Sequence, residues 1–227
     1  MGIREETSKI KALQAHALQD YLEIILHENN ISLSTWKQQY ASFVEDQHDK
    51  NITNVAEVYK RITLNGLASI DIKQLDTSAI INYLRFGKIV YRAKDEKKKT
   101  EWYLSLLQDD RNIDAHINGN ETASEMYQFA VCELAHLLDF INYVWDAKKG
   151  AATGNRYEYT KKYKTIIAQD LKKLDDAYRK EVIEENKRVL GKIRKHKWLV
   201  VGLFLILLGF IIYTNGMIDT IVAELSK

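Results

Sequence analysis

Not one proline interrupts the 227 residues, and that absence limits the possible folds more than any motif does. Proline ends or kinks a helix because it lacks an N–H and clashes with the preceding turn. Without it, helices can run for as long as their apolar faces find something to pack against. Glycines number only 10, and Leu, Ile, Ala, Glu, Lys and Gln fill nearly every segment. Strand-type alternation is missing. The chain is expected to be all-α.

Apolar spacings of three and four mark the helices. They run through Ile10, Leu13, Ala17, Tyr21 and Ile24, then Trp36, Tyr40 and Phe43, then Val55, Val58 and Ile62. Helix starts are expected at Thr7/Ser8, Ser34/Thr35 and Thr53/Asn54, with ends near Asn29/Asn30 and Gly66. A fourth helix is expected after Asp76, with Ile80, Leu84, Val90 and Tyr91 on its faces, and a fifth over about Glu96–Gln108. Thr122-Ala-Ser-Glu125 reads as a capping box opening a sixth helix, whose stripe is Met126, Ala130, Leu134, Leu137, Ile141 and Trp145. Cys132, the one cysteine, excludes an internal disulfide and any zinc site built on several cysteines, and is expected as a small core residue of that helix.

Charge and hydropathy organise the rest. Residues 1–155 carry 18 Lys/Arg against 22 Asp/Glu, whereas residues 156–197 carry 14 against 7. The net charge of +2 therefore hides a basic segment directly before the apolar run WLVVGLFLILLGFIIY. The Gly/Ala-rich stretch Lys148–Asn155 is the expected boundary. The expected layout is N-terminal helices over 1–48 packed on a helical bundle over 49–150, a linker and basic stalk helix over 151–197, a transmembrane helix over 198–218, and a short tail over 219–227. Arg194, Lys195, Lys197 and Trp198 form the expected membrane flank, and the positive-inside rule puts the N-terminal domain in the cytoplasm. These features predict a single-pass, tail-anchored membrane protein with the lipid bilayer as a partner.

Most candidate chemistry can be set aside. His16, His27, His48 and His136 make no paired metal set, so no metal or other cofactor is expected. Asp71 and Asp76 read as helix caps. What remains is the corner LLQDDRNIDAHINGNETASEM, which holds Arg111 and His116. An imidazole can exchange a proton with a ribose hydroxyl or a leaving oxygen, while a guanidinium forks onto phosphoryl oxygens as negative charge builds. That is the chemistry of RNA transesterification. Residues five apart on a regular helix point about 140° apart. The pair therefore needs a backbone break between its members or a second subunit facing it.

The corner resembles the motif of the HEPN superfamily, in which Arg, a polar residue and His lie between the last two long helices of an all-α bundle. Arg111, Asn112 and His116 match those roles, and LDTSAIINYLR, Leu75–Arg85, is similar to an upstream helix of one branch. The likeness covers about residues 50–147. It implies an HEPN-like antiparallel bundle and a metal-independent endoribonuclease leaving 2',3'-cyclic phosphate. It also implies a composite site at a homodimer or higher homo-oligomer interface, in a defence or toxin setting that can include a regulatory partner protein. Arg111 would hold the scissile phosphate, His116 would transfer protons and Asn112 would orient the site. Lys94, Lys97, Lys98 and Lys99 would extend an RNA track beside it. The alternative within the same fold is a non-catalytic, membrane-tethered interaction or sensor module.

Overall fold

The computed structural model describes residues 2–50, 52, 55–87, 94–115, 121–146 and 154–225. The regular elements are α1 (Ile3–Glu28), α2 (Leu33–Asp49), α3 (Ala56–Asn65), α4 (Thr77–Phe86), α5 (Lys94–Ala115), α6 (Ala123–Asp146) and α7 (Asn155–Leu225), with two short 3-10 turns between α3 and α4. No strand occurs among the described residues, so the protein is all-α.

Local chemistry explains most of the helix ends. Ser32 caps α2 by accepting the Thr35 N–H at 3.1 Å, and Asp76 caps α4 by accepting that of Ala79 at 2.7 Å. Asp71 likewise accepts the Lys73 N–H at 3.0 Å, so both aspartates are caps as expected. The capping box of α6 closes both ways. Thr122 Oγ1 accepts the Glu125 N–H at 3.2 Å, and the Glu125 carboxylate accepts the Thr122 N–H at 2.8 Å. The sequence placed the start of α1 too late. That helix begins at Ile3 with Glu5 and Glu6 in its first turn, where carboxylates favour the helix dipole. Val90 and Tyr91, expected on α4, lie outside the described residues.

The chain divides into two compact units, Met1–Tyr178 and Arg179–Lys227. In the first, α1 packs on α4 and α6, α5 packs on both α4 and α6, and α2 packs on α3. The predicted stripe of α1 is buried, with Ala17 and Tyr21 fully so, and Met126, Ala130, Leu134, Leu137 and Ile141 of α6 meet the same core. Two glutamines of α1 bond across this core. Gln14 Nε2 donates to the Leu107 carbonyl of α5 at 3.2 Å, and Gln19 Nε2 donates to the Leu75 carbonyl ahead of α4 at 2.9 Å. Cys132 departs from expectation and is exposed. It lies two positions beyond Ala130 in the stripe, about 200° around the helix and so on its outer face.

The first unit continues past the Gly/Ala-rich stretch. Tyr159, Tyr163, Ile167 and Leu174 at the start of α7 belong to the core, so residues 155–178 are packed where a stalk was expected. A buried ion network holds this part of α7. Arg156 Nε and Nη2 donate to the two carboxylate oxygens of Glu28 at 2.8 Å each, and Nη2 also donates to Glu96 Oε1 at 3.0 Å. Its Nη1 donates to the Val144 carbonyl at 3.3 Å. One guanidinium thus joins α1, α5, α6 and α7.

The second unit corrects the membrane expectation. Among the described residues no helix is long and apolar enough to cross a membrane, so the single-pass, tail-anchored location does not stand. The uncharged block over 198–213 is 16 residues, about 24 Å at 1.5 Å per residue, against about 30 Å of hydrocarbon. Extending it takes in Thr214, Asn215 and then Asp219. Arg194, Lys195, Lys197 and Trp198 consequently flank no span. They lie inside α7, with Arg194 and Lys197 exposed, and the helix runs on through most of the expected tail.

Candidate functional site

Arg111 and Asn112 sit on a regular stretch of α5, which continues to Ala115. The sequence analysis ended this helix at about Gln108, and Asn112 and Asp114 beyond it are poor helix formers. Their deficit is only a few tenths of a kcal/mol each. A side-chain bond within the helix helps to offset it, as Gln108 Nε2 donates to Asn112 Oδ1 at 3.0 Å, one turn away. The helix therefore runs past both Gln108 and Arg111 as far as Ala115. His116, the other half of the predicted pair, lies outside the described residues, as does the turn over Ile117–Asn120.

Both α5 residues line a cleft of about 520 Å³. Four parts of the chain wall it: Tyr40 and Phe43 of α2, Val55, Val58 and Arg61 at α3, Asp76, Ser78, Ala79 and Asn82 at α4, and Gln108, Arg111 and Asn112 of α5. Two of its lining residues, Tyr40 and Phe43, are aromatic and pack on the buried Tyr83. Tyr40, Phe43 and Tyr83 meet edge to face or tilted, with the Tyr40 and Tyr83 rings 5.3 Å apart and Phe43 and Tyr83 5.4 Å apart. Burial pushes the Tyr83 hydroxyl up to about 12 and the Tyr40 hydroxyl well above the ordinary phenol value. Both stay protonated at neutral pH and serve as packing surface, not as bases.

The charged groups of the cleft are Arg61, Arg111 and Asp76. Asp76 is committed to the α4 cap. Arg111 is exposed. The Nε of Arg61 is buried and has no hydrogen-bond partner among the described residues, a costly state for a donor unless a ligand or solvent completes it. Two guanidiniums on a mostly uncharged wall can take a phosphoryl group through forked, charge-assisted hydrogen bonds. The Asn112 amide N–H₂ is a further donor, since its carbonyl oxygen already accepts from Gln108.

Sequence reasoning missed Arg61. The signal was present: Val55, Val58 and Arg61 recur every third residue and face the same cleft, so the arginine stands where an apolar face would otherwise continue. The lysines do not join this site. Lys97 lies fourteen residues before Arg111 on one helix, about 21 Å away along its axis. It pairs with Glu101 at 3.8 Å, while Lys98 and Lys99 are exposed and the side chain of Lys94 lies outside the description.

A second cluster lies elsewhere on α5. Asp110 is buried and faces α6, where both its carboxylate oxygens meet His136 Nδ1, at 3.0 and 2.9 Å. Cys132 Sγ is 3.9 Å from His136 Nε2. His136, set aside on sequence grounds as part of no paired metal set, is therefore held by a carboxylate and placed beside a thiol. Comparison with protein-family models, curated proteins and solved structures finds no match to this chain.

Proposed function

We propose that the protein is an RNA-cleaving enzyme of HEPN type, acting without metal at the α5 cleft of a homodimer. The observation that supports this most is that Arg111 and Asn112, two of the three residues matched to the HEPN motif, line one cleft together with Arg61. In this reading Arg111 and Arg61 hold the phosphate, Asn112 donates to it, and His116 moves the proton between the ribose 2'-hydroxyl and the leaving 5'-oxygen. Negative charge builds on the phosphoryl oxygens as the 2'-oxygen attacks, so fixed guanidiniums stabilise the transition state more than the ground state. Because α5 stays helical past Arg111, a facing second copy is the simpler way to complete the site. The bundle Met1–Tyr178 carries the chemistry.

A second reading has its own support. Asn112 is bonded within its own helix by Gln108, which suits a wall that binds RNA or a protein without cutting it. One experiment separates the two. The full chain is incubated with single-stranded RNA in a chelating buffer, beside Arg111→Ala and His116→Ala. Cleavage by the wild type that falls about 100-fold or more in each variant supports the enzyme. Equal cleavage by all three, or binding without cleavage, sinks it.

A further inference from the structure

Cys132 and His136 are one helical turn apart on α6. Four residues rotate a helix by 400°, so the two side chains lie within about 40° of each other on one face. Their ligand atoms, Sγ and Nε2, are 3.9 Å apart, and with a carboxylate oxygen of Asp110 all three groups fall within 4.8 Å of one another. A zinc-sized ion with bonds of about 2.3 Å to sulfur and 2.0–2.1 Å to nitrogen at a tetrahedral angle sets the two atoms about 3.6 Å apart. Closing that gap takes a few tenths of an ångström, within the reach of a rotamer adjustment.

The histidine is already prepared as a ligand. In the tautomer that donates Nδ1–H to the Asp110 carboxylate, Nε2 carries no proton and its lone pair is directed towards the thiol. Carboxylate, imidazole and metal in this order form the arrangement that fixes tautomer and ring orientation at protein zinc sites. Asp110 is 8% exposed, so its carboxylate holds the ring from the interior while Cys132 stands at the surface. Solvent can therefore reach the ion and fill its remaining positions.

We propose that Cys132 and His136 bind a divalent transition-metal ion of the zinc class, with Asp110 positioning the imidazole. The other chemistry open to a Cys–His–Asp set is nucleophilic catalysis, and it fits less well. Burial and the Asp110 carboxylate push the Cys132 thiol above its ordinary value, which leaves it protonated and a poor nucleophile at neutral pH. A metal changes that balance by displacing the proton, one to solvent for each ion bound, and forming the metal–sulfur bond in its place. A thiolate with an imidazole selects zinc, cobalt or copper over magnesium or calcium. This site stands independently of the RNA-cleaving reading. It lies on the α6 side of α5, and none of its three residues lines the cleft.

Cobalt(II) titration of the full chain, in a buffer whose reductant is a non-thiol phosphine, tests the assignment. The expected result is one equivalent bound with a thiolate-to-cobalt charge-transfer band in the near ultraviolet, erased by stoichiometric zinc. Cys132→Ser and His136→Ala lose the band, and Asp110→Asn keeps it with affinity about 10–100-fold weaker. Helical circular dichroism confirms that each variant is folded. Should Asp110→Asn unfold, the serine variant decides, because Cys132 is exposed and its oxygen is nearly isosteric. A wild type without the band, or a Cys132→Ser chain that binds cobalt as tightly as wild type, overturns the proposal.

Discussion

Replacing Arg156 with alanine takes from Glu28 and Glu96 the guanidinium that they share. The side chains of Arg156, Glu28 and Glu96 are only 8%, 9% and 13% exposed, and three hydrogen bonds of 2.8–3.0 Å join the guanidinium to the two glutamates. Burial alone opposes charge on this arginine, yet the bonds that it donates to Glu28 and Glu96 outweigh it and hold the guanidinium above its ordinary pKa. Removing one partner of such a buried set costs about 3–5 kcal/mol, mostly for the charges left behind. For a unit of this size that corresponds to a fall in Tm of about 6–20 °C. Urea unfolding followed by helical circular dichroism measures it. The origin of the loss is separable from its size: Glu28→Gln with Glu96→Gln in the Arg156→Ala background removes the two carboxylate charges and is expected to recover about half of the deficit. An Arg156→Ala chain within about 1 kcal/mol of wild type, or no recovery from the added glutamines, refutes the reasoning.

Two further outcomes follow from the packing of the first unit. Asp20 accepts from Lys73, Lys162 and Tyr163 at 2.6–2.8 Å; burial works against its charge, but these bonds prevail and pull its carboxyl down to about 2. A depressed folded pKa stabilises above the unfolded value and is lost as pH falls, so Asp20→Asn is expected to cost about 1–2 kcal/mol at pH 7 after solvent screening. In parallel acid titrations that cost shrinks between about pH 4 and pH 2, where the wild-type carboxylate is itself neutralised. A cost unchanged across that window would rule the ion pairs out as its source. At Gly87, an added Cβ would lie 2.5 Å from the Tyr83 carbonyl oxygen and 2.7 Å from its ring. Gly87→Ala is therefore expected to lower stability by about 1–3 kcal/mol in the same urea assay, and a neutral result would show that the α4 end has room the structure does not give it.

What the sequence made legible was local. The Asp76 and Thr122 caps need only their own helix turns, and the stripes of α1 and α6 need only their own periodicity, so composition and spacing were enough to find them. Arg156 was opaque because its partners are 128 and 60 residues away, and a single charged residue early in a long polar helix reads as solvated. The cleft was half visible. Arg111 and Asn112 stood out by their order, but Arg61 acquires meaning only when α2, α3, α4 and α5 are folded around one space. The end of the fifth helix, expected at about Gln108, was misplaced because weak propensities lose to an i,i+4 side-chain bond, and Cys132 was put inside the core for lying in an apolar helix, although it stands about 200° from that helix's stripe. The apolar block over 198–213 was legible as apolar, yet its length without the polar extension falls short of a bilayer.

The end groups of RNA incubated with the full chain in a chelating buffer test the central claim most directly. The expected products carry 2',3'-cyclic phosphate and 5'-hydroxyl ends, because transesterification keeps the ribose 2'-oxygen on phosphorus, and they disappear with Arg111→Ala. Products with 3'-hydroxyl and 5'-phosphate ends, or cyclic-phosphate products undiminished by Arg111→Ala, would contradict an Arg111 cleft as the site of RNA cleavage.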